Sequence, residues 1–201
     1  SNTKAAPDLG AFTLEVTQDE TVVHKIPTLG ANTSPSLTLE AGDYTVSAYS
    51  QPFAAPAFDT PVYGASQLLT IMAGGTKDVA LECTQTNAGV KINYSDDFKA
   101  QHTSYSTRIA HSTGTLDFSG SDAGRTGYFP TGYVDLIVTA DGKEYTQAIQ
   151  LKARRLYTIT VKDANVPVTS GHANISISVS TDVTNENVEI TFPENGGNTG
   201  G

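Results

Sequence analysis

The chain has 201 residues, enough for one large or two small cores, of which 38% are hydrophobic and only 16% charged. A formal charge of -9, with no cluster of Lys and Arg, argues against nucleic acid and against docking on an anionic leaflet. Helical periodicity never runs beyond about two turns. The 18 Gly, 9 Pro and the Thr, Ser, Val and Tyr of the patterned segments mark a turn-rich β protein.

Ser1–Asp8 is polar and unpatterned and reads as a tether or cloning scar (residues 1–8). Phe12, Leu14 and Val16 then alternate with Thr13, Glu15 and Thr17 as a half-buried first strand. Gln18–Glu20 turn the chain into Val22–Ile26, and Pro27 stops the pairing. Leu37 and Leu39 predict a short third strand, and Tyr44–Tyr49 a fourth with Tyr44, Val46 and Ala48 on one side. From Gln51 to Gly64 three prolines forbid a regular central strand and predict a loop. Leu68–Met72 and Thr76–Cys83 pair across Gly74-Gly75, completing six or seven short strands, the number for a small sandwich over 9–86.

Val79–Tyr94 is the hinge of this organisation. V-A-L-E-C and V-K-I-N-Y share a period of two around the polar link T-Q-T-N-A-G, which predicts the last strand of one domain passed to the first strand of the next. In the second domain, 87–193, Asp96–Gln101 predicts one helical turn with Phe98 tucked under it. Tyr105–Ile109 and Leu116–Phe118 are strands, and Tyr128-Phe129-Pro130 is a short edge or plug. Val134–Leu151 is the clearest hairpin: Asp141-Gly142 suits a type I′ turn, and the register sets Val138 against Tyr145 and Val134 against Ile149. Tyr157–Val161, Ile175–Val179 and an edge strand at Val188–Phe192 follow, and 194–201 is a flexible tail. Strands in succession without helices predict an all-β fold of two tandem antiparallel β-sandwich domains, immunoglobulin-like or transthyretin-like.

Chemistry is sparse in the pattern. The lone Cys83 lies on the inward phase of its strand, as a small buried hydrophobe rather than a reactive thiol. His24, His102, His111 and His172 form no metal-type pair and read as solvated loop histidines; no metal and no cofactor is expected. There is no G-x-S-x-G elbow, and Asp96-Asp97 point apart, so no catalytic residues are assigned and no enzyme is expected. Asp117 and Asp122 bracket F-S-G-S, a turn bonding its own backbone or a loose calcium loop. Tyr49, Phe53, Phe58 and Tyr63 are the candidate ligand contacts, able to stack on a sugar or anchor a protein. The favoured reading, however, is that Phe58 and Tyr63 plug the end of the first sandwich, because a long loop needs apolar fastening.

Across Gly42–Asp97, the segments G-D-Y-T-V-S-A-Y, A-P-A-F-D-T-P-V-Y-G and V-A-L-E-C-T-Q-T-N-A-G-V-K-I-N-Y-S-D-D-F resemble secreted lipoproteins of gut Bacteroidales similar to fimbrillin-like and cell-adhesion proteins. The resemblance implies export, a lipid anchor upstream of Ser1 and a place on the cell surface, outer membrane or a pilus. The expected function is a non-enzymatic adhesion module, monomeric in isolation, whose partners are other surface or pilus proteins or host glycans. The alternatives are a glycan-binding accessory lipoprotein and a pilus subunit joined by donor-strand addition, with Leu9–Thr17 or Val188–Phe192 as the donor.

Overall fold

A computed structural model describes residues 7–52, 55–122, 124–163, 177–179 and 184–192. The strands are β1 Thr13–Gln18, β2 Thr21–Ile26, β3 Gly42–Tyr49, β4 Ala57–Phe58, β5 Tyr63–Ile71, β6 Thr84–Gln85, β7 Ala88–Tyr94, β8 Tyr105–His111, β9 Gly114–Phe118, β10 Gly127–Phe129, β11 Gly132–Ala140, β12 Lys143–Leu151, β13 Arg155–Asp163, β14 Ile177–Val179 and β15 Thr184–Phe192. One helix, α1, covers Asp96–Gln101. Among the described residues no helix is long and apolar enough to cross a membrane. Two compact units result: Ser1–Phe53 with Val62–Gln85, and Ala54–Pro61 with Thr86–Gly201.

The first unit is built on one antiparallel sheet in the order β2-β1-β3-β5-β6. Alternation along β1 and β3 buries Val16, Tyr44 and Val46, and Leu14, Leu37, Leu39, Leu69, Ile71 and Leu81 pack against them. Two expected strands are not strands. The segments carrying Leu37, Leu39 and Leu81 have no ladder partners and cover the sheet with side chains alone. The reason is that a single sheet leaves its apolar face to be covered, and leucines at a period of two do this without sharing backbone hydrogen bonds. Conversely, β5 starts at Tyr63, inside the proline-rich segment, and pairs with β3 from Tyr49↔Gly64 to Gly42↔Ile71.

The second unit is a sandwich of a six-stranded sheet, β14-β15-β13-β7-β10-β4, and a four-stranded sheet, β12-β11-β8-β9. Its core joins Val90, Phe129, Tyr157, Ile159 and Val161 of the first to Ile109, Phe118, Val134, Leu136 and Val138 of the second. The β11–β12 hairpin has the expected register, Val134↔Ile149 and Val138↔Tyr145. Asp141 and Gly142 supply the two positive φ angles, 47° and 78°, that a type I′ turn needs. Ser95 caps α1 by accepting from the Phe98 amide at 3.2 Å, and Phe98 is fully buried beneath it.

Three features depart from the expected layout. Pairing is antiparallel except where β13 runs parallel to both β7 and β15. The β7-to-β13 connection supplies the long crossover that a parallel pair requires, because it forms the whole four-stranded sheet on the way. β15 is no edge strand; it lies between β13 and β14. Finally, Ala54–Pro61 belongs to the second unit: β4 pairs with β10, and the buried Asn87 side chain donates to the Thr60 carbonyl at 3.1 Å.

Candidate functional surfaces

The four aromatic candidates do not form one group. Phe53 lies outside the described residues. Tyr49 and Tyr63 belong to the first unit, but Tyr49 pairs with Gly64, so Tyr63 projects to the opposite face of the sheet. Phe58 belongs to the second unit, as a correction to the expected plug. It meets Phe118 edge-on at 5.0 Å between centroids, and the Arg125 guanidinium carbon lies 4.3 Å from its ring centre. Phe58 does fasten the proline-rich segment, but to the second core, because β10 offers its short strand the ladder partners.

Tyr49 sits on the outer face of the first sheet, where its hydroxyl donates to Glu15 Oε1 at 2.8 Å. Lys25 Nζ reaches the same oxygen at 2.7 Å, and these two bonds hold the Glu15 carboxyl below its usual range. Neighbouring positions are also paired across strands: Ser47 with Ser66 at 2.7 Å, and Thr70 with Asp43 at 2.6 Å. Polar groups on this face thus already bind one another, with Val22 and Leu68 exposed among them.

At one end of the second sandwich, the structure assembles a cluster that sequence reading missed. His102, expected to be a solvated loop histidine, has a side chain only 16% exposed. Its Nδ1 lies 2.8 Å from Asp141 Oδ2, and its Nε2 lies 3.1 Å from Asp163 Oδ2. Burial of the ring opposes its charge, but the bonds to Asp141 and Asp163 outweigh this and raise its pKa above the ordinary 6.5. Asp141 is lowered to about 2 by His102, then by the Ser104 amide and Thr103 hydroxyl. The two carboxylates bind opposite ring nitrogens, so they do not converge on a site for one cation. Phe98 packs beneath the imidazole, 4.3 Å between centroids.

Two further carboxylates are similarly engaged. Asp117 accepts from Arg108 Nε at 2.6 Å, while Asp122 accepts from Arg125 Nη1 and the Ser119 hydroxyl, both at 2.9 Å. Arg125 Nε also binds Asp59 at 3.0 Å. Asp117 and Asp122 thus face different arginines, and the turn reading of F-S-G-S fits them better than a calcium loop. Cys83 is half-buried with Sγ 3.9 Å from the Ala48 carbonyl, and burial pushes its thiol pKa up, away from reactivity. His172 lies outside the described residues.

The family described as a domain of unknown function (DUF4493) matches residues 1–194. The chain belongs to this family. No curated protein matches it. Among solved structures it is similar to a "putative cell adhesion protein" from Bacteroides thetaiotaomicron, with 10% identity and a TM-score of 0.38 over 75% of this chain and 77% of that one. A "putative adhesin" from the same organism has 10% identity and a TM-score of 0.38 over 69% and 71% of the two chains. A "putative cell adhesion protein" from Bacteroides fragilis has 11% identity and a TM-score of 0.31 over 92% and 89%.

Proposed function

We propose that this DUF4493 protein is a non-enzymatic module of the cell surface, held by a lipid anchor and acting in adhesion by presenting a strand face to a partner. The observation that carries this reading is how the bridged acids and bases between its elements are held. His102 has both ring nitrogens against carboxylates, so no lone pair is poised to take a substrate proton. Lys25, Arg108 and Arg125 are each held by carboxylates in the same way. These groups act as struts between strands, leaving the broad faces of the sheets as what the molecule offers to its surroundings. The donor-strand alternative gains no support: β1 lies between β2 and β3, and β15 between β13 and β14.

The test is to incubate the purified protein with panels of glycans and peptides, and in parallel to measure adhesion of protein-coated beads to mucin and epithelial cells. Adhesion without consumption of any panel member is the expected result. Turnover of a glycan or peptide, abolished by His102→Ala, would refute the reading.

A further inference from the structure

The outer face of the second unit's four-stranded sheet carries an exposed tyrosine. Strand alternation places Tyr133 and Asp135 of β11 on it, since their neighbours Val134 and Leu136 are buried in the core. Tyr133 stands opposite Gln150, and Asp135 stands between Ala148 on β12 and Ala110 on β8. The tyrosine is 70% exposed, and Asp135 and Gln150 are exposed beside it. Among the described residues, none of these three side chains makes a hydrogen bond or ion pair. A single exposed aromatic is ordinary. An exposed aromatic flanked by a carboxylate and an amide, all with open hydrogen-bonding capacity, is a recognition chemistry.

We propose that Tyr133, Asp135 and Gln150 form a binding subsite for an uncharged pyranose unit of a glycan. This rests on the reading of the protein as a binding module and names its ligand class. A pyranose has an apolar C–H face and a rim of hydroxyls. The Tyr133 ring offers a flat π surface to the former. The Asp135 carboxylate accepts from two neighbouring hydroxyls, while the Gln150 amide both donates and accepts. Neighbouring strands lie about 4.8 Å apart, and same-face residues along a strand about 6.7 Å apart, so the three groups frame a patch the size of one sugar ring. Ala110 and Ala148 flank Asp135 with methyl groups only, leaving the carboxylate open to hydroxyls from the side.

Charge selects among glycans. Of the cations near this patch, Arg108 on β8 is engaged by Asp117 at 2.6 Å, and Lys152 is exposed just past the end of β12. Asp135 and a net charge of -9 then disfavour sulfated, sialylated or uronic sugars.

The experiment is a glycan array with the whole protein, followed by calorimetric titration of the best ligand into wild type, Tyr133→Ala, Asp135→Asn and Tyr49→Ala. All three positions are outside the core, and circular dichroism confirms that the variants fold. The expected result is binding to uncharged glycans with little salt dependence, weakened about tenfold or more by Tyr133→Ala and by Asp135→Asn, and unchanged by Tyr49→Ala. Binding that survives both β11 substitutions overturns the site while leaving the module reading intact. Binding only to anionic glycans or to basic peptides overturns the ligand class, and an empty array overturns the inference altogether. Hydrolysis of the bound glycan would refute the non-enzymatic reading while supporting the subsite.

Discussion

His102, Asp141 and Asp163 come from the end of α1, the β11–β12 turn and the end of β13, and one imidazole joins them. The pH dependence of this bridge follows from its shifted groups. A histidine raised above 6.5 contributes stability that is full below 6.5 and is lost as pH rises through its folded value. A carboxylate lowered from 3.8 to about 2 contributes stability that is full above 3.8 and is lost as pH falls toward about 2. Both contributions are complete only between 3.8 and 6.5. His102→Ala also leaves the Asp163 carboxylate, 5% exposed, without its ring partner. The expected loss is about 1–3 kcal/mol of unfolding free energy, largest in that window and smaller on either side. Urea titrations of both proteins across pH check this. A difference that stays constant with pH would mean that packing on Phe98, not charge, is what the histidine supplies.

At the scale of elements, β10 shows how closely the second core is fitted. Gly127 pairs with Val90 on one side and Phe58 on the other. A Cβ there would lie 2.7 Å from Phe118 Cζ, 2.9 Å from Leu116 Cδ1 and 3.2 Å from Phe129 Cε2. Phe118 and Phe129 are core rings with little room to yield. Gly127→Ala is expected to destabilise the second unit by about 1–3 kcal/mol through overpacking, and to speed amide exchange in β4 and β10. Unchanged exchange there would show that the rings move aside freely. The same elements show what a sequence can disclose. The β11–β12 hairpin is legible because its turn residues and its register are local, and the Phe98 helix is legible for the same reason. β4 is not, because its partner β10 is remote and the prolines around it signal only the absence of a regular strand. Leu37, Leu39 and Leu81 mislead in the opposite direction: a period of two reports which residues face inward, not whether the backbone pairs. His102 was hidden because its two carboxylates lie 39 and 61 residues away along the chain. On the outer face, Tyr133 and Gln150 become neighbours only through the hairpin register, so neither residue stands out from its own surroundings in the chain.

The two units differ in how much apolar surface they bury, and this sets a graded stability within one chain. Among the described residues, fourteen buried hydrophobic side chains form the core of the second unit, including Phe98, Phe118 and Phe129. The first unit buries six, Phe12, Val16, Tyr44, Val46, Ala48 and Val62, of which Val16, Tyr44 and Val46 form its cluster with half-buried leucines and isoleucines from the sheet and its coil coverings. Each fully buried aliphatic or aromatic side chain contributes about 1.5–3 kcal/mol, so the imbalance outweighs any single polar contact described above. Local opening follows buried apolar contact density. Native-state hydrogen exchange in mild denaturant is therefore expected to show amides of β1, β3 and β5 exchanging through openings of lower free energy than those of β7, β11 and β13. Val46→Ala should lower the first set and leave the second unchanged, because its contacts lie in the smaller cluster. A single opening free energy shared by both sets, shifted as one by Val46→Ala, would instead mean that the chain unfolds as one cooperative body.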